Sequence, residues 1–390
     1  MNILYVNWDC LGASDILEAL REIGTTIYEV EISDASHEKV DWDFVNQIGL
    51  IIEKCKIDLV FTFNFFPTIS EACYKFERIY LAWVYDSPSI KVYHPSIINE
   101  CNYVFIFDSS VVWELRNKGI KTVYYSPLAV NMKRLDNLKG SSRERDRYCC
   151  DVAFVGSLYN EEHQLYERLV EKSNNPYLIG YLEGIMEAQL KVYGYNFLQE
   201  CLTPEIVKSI YEIMPVEVAD GSLTNKEFIY ADYFLCRRMA CIEREKILKL
   251  LAINHRVNHY SNKTEHQLGN VVECGKVDYY DEMPYVFRYA KINLNMTLRS
   301  IKTGIPLRAM DILGAGGFLL TNYQEDFLLH FESNNDFVFY GSVEELQDKA
   351  IWYLKHEDER QRISKNGREK ILKNHTYKNT LEKMLKVVGK

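Results

Sequence analysis

Between Ser300 and Asn322 the chain reads SIKTGIPLRAMDILGAGGFLLTN, and its residue types suit the binding of a charged ligand. Pro306 fits the first turn of a helix, where a missing N–H costs nothing. Gly304, with Ile305 behind it, lets a ligand come close to the backbone. The free N–H groups and dipole of such a helix start attract anions. Arg299 and Lys302 add positive charge before it, and Arg308 adds more in the first turn. Together these form a candidate cradle for a diphosphate. Asp311 follows Arg308 by three residues, so both share a helix face. Its carboxylate could accept hydrogen bonds from two vicinal sugar hydroxyls. The alternative is a local Arg308–Asp311 ion pair on a solvated helix.

A second set of candidates ends apolar runs nearer the start of the chain. Asp86 follows IYLAWVY, where a carboxylate can deprotonate a hydroxyl as general base or orient it. The alternative is a capping or turn-forming Asp before Ser87-Pro88. Asp9, in NWDCLG, is the second candidate base, and Asn64, closing FTFN, could line the same floor. Further along, Asn295, Thr297 and Ser261 end strands and could contact a donor, as could the backbone of GKVDYY. For each, a plain polar strand end is the alternative.

Other patterns lead nowhere. Asp41-Trp42-Asp43 resembles a metal-binding D-x-D but precedes a helical pattern, so Asp41 or Asp43 reads as an N-cap. GAGG precedes a strand, whereas a dinucleotide fingerprint needs strand, glycines, then helix. His255 and His259 straddle a turn and lack the Glu of a metalloprotease helix. The cysteines form no paired C-x-x-C knuckles, and no G-x-S-x-G elbow is present. No metal site is expected.

The elements that must position these residues follow an α/β rhythm. The runs Ile3–Trp8, TIYEVEI, Ile57–Asn64, Ile79–Asp86 and Tyr103–Asp108 are apolar enough for strands buried on both faces of a parallel sheet. Helical patterns such as Ser14–Ile23 and WDFVNQIGLIIEKC separate them. Ligands of such a sheet lie beyond the carboxyl ends of its strands. Asp136–Arg147 is polar and reads as linker. A second series opens with DVAFVGS and a helix at Glu161–Glu171. It resumes after a mostly helical stretch at about 181–252 with RVNHYSN, NVVECGKV, a helix at Asp281–Ala290, KINLNMT and DFVFYGS. Three helices close the chain. The expected plan is two Rossmann-like domains facing each other across a cleft: 1–135, a linker at 136–150, and 151–375 with a helical insertion. A closing helix at 376–390 returns to the first domain.

Composition bounds the rest. The 390 residues are 47% hydrophobic and 26% charged, ordinary for a globular protein of two or three domains. No apolar run approaches the roughly 20 residues of a membrane span. MNILYVNWDCLG reads as a first strand rather than a signal peptide. Ten cysteines without framework spacing suggest reduced thiols in a cytosol. The net charge of −9 argues against a general nucleic-acid binder. Residues 361–390 hold nine Lys/Arg and two Asp/Glu, a local +7 that leaves −16 elsewhere. This basic tail could touch an anionic inner-membrane face or an acidic partner, or be a solvated helix face.

The stretch Ser300–Asn322 resembles the nucleotide-binding segment of GT-B glycosyltransferases. It is most similar to the CgeB-like, spore-maturation-type group, whose pattern is G-I-P-x-R…[DE]-x-x-[GA]-x-G-G. INLNMT, GGFLLTNY, EELQDKAIWYL and ERQRISKNGREKILKNHTY extend the resemblance over most of the second domain. FTFNFFP, WVYDSP and FIFD resemble the domain that often precedes it.

The resemblance implies a cytoplasmic hexosyltransferase-type enzyme, metal-independent. It would take a UDP-, GDP- or dTDP-linked sugar and a glycan or protein acceptor. Asp311 matches the second acid of the E-x7-E motif, which binds the nucleotide ribose. The first acid falls at Thr303. Relatives carry Arg and Lys after the first strand of the second domain, where VGSLYNEEHQ has neither. Phosphate neutralisation then falls to Arg299, Lys302 and Arg308, or to Arg237, Arg238 and Arg244. A GT-B sugar-nucleotide 2-epimerase and a non-catalytic GT-B partner subunit are the alternatives. The sequence names no oligomeric state.

Overall fold

The computed structural model describes all residues except 33–38, 161–163, 263–266 and 390. It divides into two compact units. The first comprises Met1–Asn131, Val218–Asn225 and Asn374–Lys390; the second comprises Met132–Glu217 and Lys226–Lys373.

The first unit holds a six-stranded parallel sheet of β1 (Asn2–Asn7), β2 (Thr26–Glu31), β3 (Leu59–Phe63), β4 (Ile79–Val84), β5 (Asn102–Ile106) and β6 (Val123–Tyr125). Their order is β2-β1-β3-β4-β5-β6. Strands β3 and β4 are buried along almost their whole length, as the apolar runs LVFTF and IYLAWV require of strands covered on both faces. The helix Trp42–Cys55 starts at Asp41, whose carboxylate accepts from the N–H groups of Asp43 and Phe44. Val45, Ile48 and Ile52 form its buried stripe. Truncating one such Ile to Ala would cost about 2–5 kcal/mol. The last helix, Tyr377–Val388, belongs to this unit and packs on the helix Ala13–Glu22. Tyr377 lies edge-on to Trp83 and Phe63, with ring centroids 5.7 and 6.5 Å away.

The second unit carries β7 (Cys150–Val155), β8 (Val257–Tyr260), β9 (Val272–Glu273), β10 (Ala290–Asn295), β11 (Leu319–Asn322) and β12 (Val338–Tyr340). These also form one parallel sheet, ordered β12-β11-β10-β7-β8-β9. Helices fill the chain between β7 and β8, from Leu165–Lys172 to Cys236–Leu251, with one π-helical turn at Tyr230–Leu235. The helix expected at Glu161–Glu171 begins at Leu165, and residues 161–163 lie outside those described. The charged segment expected to be linker contains a short helix, Ser142–Tyr148. Glu144 accepts from the Ser141 N–H at 3.0 Å and caps it. Tyr148 then stacks on Tyr285 at 6.4 Å, which holds this helix on the sheet's own helix layer.

Candidate functional site

In the second unit, successive strands run outward from β7 in one direction to β9, and from β10 in the other to β12. The switch point of a doubly wound sheet therefore lies between β7 and β10, where ligands of this architecture bind. Arg244, from the helix Cys236–Leu251, spans it. Its Nη1 donates to the Ser157 carbonyl and its Nη2 to the Met296 carbonyl, each at 2.6 Å. The guanidinium also lies over the Tyr159 ring at 5.0 Å. Arg237, about two turns earlier, lies over Tyr159 and Tyr233. Arg238 points elsewhere and pairs with Glu167 at 3.0 Å.

Arg299 is buried beside this crevice. Its Nη2 meets Glu243 at 2.8 Å, Tyr193 donates to the same Glu243 oxygen at 2.5 Å, and the Tyr193 ring lies 4.1 Å from the guanidinium. Two of the three guanidinium nitrogens, Nε and Nη1, have no hydrogen-bond partner among the described residues. The same holds for Arg244 Nε, Arg237 Nε, Ser300 Oγ and the Tyr340 hydroxyl. Buried donors left unmade cost roughly 1–3 kcal/mol each, so so many at one strand-end crevice suit an anionic ligand.

The helix Leu307–Ala315 lies at the same edge. Pro306 is its N-cap and supplies no side-chain cap. Gly304 and Ile305 are buried, and Gln324 pins the loop before them by donating to the Ile301 and Gly304 carbonyls at 2.9 and 3.3 Å. The Thr303 carbonyl accepts from the Asp326 N–H at 3.1 Å, while the side chains of Lys302 and Thr303 are half-buried. Asp311 is 7% exposed and accepts from the Tyr279 hydroxyl at 3.2 Å. Arg308 turns toward the helix Met283–Tyr289, against the Met283 sulfur and 5.8 Å from the Phe287 ring. Burial pulls its pKa down, and the Asp311 charge opposes that.

Asn295 and Thr297 tie strand ends together. The Asn295 amide donates to the hydroxyls of Thr297 and Thr321, both at 2.9 Å, and the Thr297 N–H donates to Asn322 at 2.7 Å. Ser261 follows β8 and is half-buried. Its neighbour His259 is fully buried between the Gly156 carbonyl, 2.9 Å away, and Glu273, at 2.8 Å.

In the first unit the switch point lies between β1 and β3. Asn64 follows β3 with φ 61°, a left-handed conformation that Asn tolerates well. This turns its amide toward the end of β4. Its Nδ2 donates to Asp86 at 2.7 Å, and its Oδ1 accepts from the N–H groups of Tyr85 and Asp86 at 3.1 and 3.2 Å. Asp86 is open to solvent along one side, yet the surrounding protein pushes its carboxyl above the ordinary range. The Asn64 hydrogen bond and the Lys91 charge pull the other way. Trp8 floors the crevice. Its Nε1 donates to the Phe63 carbonyl at 2.8 Å and its ring stacks on Tyr85 at 6.2 Å. Asp9, with φ 58°, is exposed at the end of β1.

The sequence reading thus named both members of the Asn64–Asp86 pair but not Trp8, Tyr85, Lys91, Tyr279 or Glu243. A signal for Trp8 and Tyr85 was present: each is a large aromatic at the polar end of a buried strand. Glu243 had none, since nothing local marks a helix carboxylate as the partner of a cation 56 residues later.

Among known proteins, residues 239–386 match the family described as glycosyl transferase-like. That span includes Glu243, Arg244, Arg299, Arg308 and Asp311. Three solved structures superpose over nearly the full chain. Sucrose-phosphate synthase from Thermosynechococcus elongatus gives a TM-score of 0.58 at 10% identity, covering 100% of this chain and 98% of that one. A glycosyltransferase from Rickettsia africae ESF-5 gives 0.55 at 12%, with coverages of 99% and 97%. Anabaena Alr3699/HepE in complex with UDP-glucose gives 0.53 at 8%, with coverages of 100% and 99%. No curated protein matches in sequence. The two parallel sheets, the helical segment of the second unit and these likenesses establish that the chain has the GT-B fold, with a glycosyl transferase-like segment at 239–386.

Proposed function

We propose that the chain is a metal-independent glycosyltransferase. It would move a hexose from a nucleotide-sugar donor, held by the second unit, to a hydroxyl of a glycan or protein acceptor at the first. The observation that carries this reading is Asp311. It is buried in the helix after Gly304-Ile305-Pro306, one oxygen is held by Tyr279, and it lies inside the glycosyl transferase-like span. Anabaena HepE, of the same fold, has been solved with UDP-glucose, which supports a nucleotide-sugar donor here.

In this reading Asp311 accepts from the ribose hydroxyls. The start of the helix Leu307–Ala315 and the arginines of the switch point face the diphosphate, so that the leaving charge is met by fixed dipoles and guanidinium groups. Asp86 takes the acceptor's proton. The acceptor oxygen bonds to the anomeric carbon as that carbon's bond to the phosphate oxygen breaks, and the nucleoside diphosphate leaves. A carboxyl pKa above the ordinary range makes Asp86 a better base once ionised. We place the chain with the CgeB-like group, in the cytoplasm, with peripheral membrane contact through its basic terminal helices. Among the described residues no helix is long and apolar enough to cross a membrane.

The test is acceptor-dependent release of UDP, GDP or dTDP from a panel of nucleotide sugars, with and without EDTA. Release that needs an acceptor and survives EDTA is the expected result. An epimerised sugar nucleotide formed without any acceptor would overturn the transferase reading.

A further inference from the structure

The second unit holds another cavity, at the opposite end of its sheet from the switch point. Its volume is about 430 Å³, within the range of small-molecule sites. The start of β10 and the turn into β11 border it, and one face of the helix Glu357–Asn374 forms the far wall. That face presents Glu357, Arg360, Gln361, Ser364, Lys365 and Arg368 at successive turns. Ile363, Gly367 and Ile371, on the flank of that face, are buried together with Arg360.

The floor is the pair Gly316-Gly317, the GAGG glycines that serve no role at the switch point. A Cβ on Gly316 would come within 3.3 Å of the Arg368 side chain. One on Gly317 would lie 2.6 Å from the Phe287 carbonyl. Larger residues would therefore crowd this end of the cavity.

Its charge is one-sided. Arg288, Lys291, Arg360, Lys365 and Arg368 line it against a single carboxylate, Glu357. Lys291, Lys365 and Arg368 also meet Asp151, Glu369 and Asp136 outside the lining. Even with those three counted, five cations face four carboxylates. Arg288 is fixed by the carbonyls of Leu135, Leu138 and Ala315. Arg360, 8% exposed, donates to the Tyr353 carbonyl. Burial lowers the Arg288 pKa, and the nearby Arg368 charge lowers it further, against Tyr285, Tyr289 and Asp136. Capping of helix carboxyl ends accounts for Arg288. It does not account for Lys291, Lys365 or the polar face of Glu357–Asn374.

We propose that this cavity is a second ligand site, separate from the donor site, and that it takes a phosphate monoester. Two fixed guanidinium groups suit a doubly charged tetrahedral oxyanion better than lysines alone would. The lysines, 45% and 76% exposed at their side chains, stand at the mouth where a ligand enters. The monoester could be a free small metabolite or the headgroup of an anionic lipid.

The experiment titrates the full chain with glycerol 3-phosphate by calorimetry. In parallel, it is co-sedimented with phosphatidylcholine vesicles with and without phosphatidic acid. Wild type is compared with the double variant Lys291→Gln/Lys365→Gln and with Ser364→Trp, which fills the space without removing charge. Binding of glycerol 3-phosphate identifies a soluble ligand, and binding only of phosphatidic acid vesicles identifies a lipid. In either arm, both variants should bind about tenfold more weakly, the order expected when charge-assisted contacts are lost. UDP-glucose affinity should stay unchanged. No binding by wild type in either arm, or binding by either variant as tight as that of wild type, overturns the proposal.

Discussion

The two switch points are built from opposite materials. In the first unit, aromatic rings and one amide surround a solvent-facing carboxylate whose pKa is pushed up. In the second, guanidinium groups are wedged into strand ends by carbonyls and a buried glutamate, and several of their N–H groups meet no hydrogen-bond partner among the described residues. The same sheet architecture thus serves two ends. One crevice raises the pKa of a carboxyl, and the other holds fixed positive charge. The difference lies in what the strand ends carry, since both sheets are parallel, six-stranded and doubly wound.

The contrast can be broken most sharply at Asp86. Asp86→Asn should lower turnover by about 10²–10⁴-fold, the usual worth of a general base, while nucleotide-sugar affinity measured by calorimetry stays put. Retained turnover would move the base elsewhere, with Asp9 next in line. Glu243→Gln probes the other crevice. It leaves Arg299 buried beside a neutral amide, so stability should fall by about 3–5 kcal/mol, read as a lower thermal midpoint. An unchanged midpoint would show that the ion pair is not what holds Arg299.

Asp311→Ala should weaken nucleotide binding by about tenfold or more, as removal of charged hydrogen bonds does, with the fold retained. Unaltered affinity would sink the ribose assignment. The smallest expected effect is at Asn64. Its amide favours the ionised form of Asp86, so Asn64→Ala should shift the acid limb of the pH–rate profile further up. Burial raises the Asp86 pKa, so activity should be lost as pH falls through a limb above the free carboxylate's. A limb that moves down or stays would mean that Asn64 does not tune Asp86.

The strands were legible where burial on both faces forced continuous apolar runs, as in LVFTF and IYLAWV. The edge strand β6, Val123–Tyr125, was not, since its short run stops at Ser126-Pro127 and no helical pattern follows to mark it as part of the α/β rhythm. Asp41 was readable as a cap, since its role is set by the next three residues. Within the candidate site, residue types were readable but partners were not. Asn64 reaches Asp86 only because β3 pairs with β4 so that Phe63 lies opposite Trp83. Arg299 and Lys302 looked alike in the sequence. Folding buries one against Glu243 and leaves the other half-buried, a distinction made by a helix more than fifty residues away.

Arg244 has a consequence for how the second unit's crevice keeps its shape. Each of its two terminal nitrogens holds a carbonyl from a different strand end, so the rigid plane of the guanidinium acts as a gauge block between β7 and β10. A lysine, with one nitrogen on a flexible stem, could grip both carbonyls without setting the distance between them. Beyond the last ladder pair, Leu294 with Phe154, the two chain segments are thus braced from outside the sheet, by a helix. Any shift of Cys236–Leu251 along its axis would be felt at both strand ends at once.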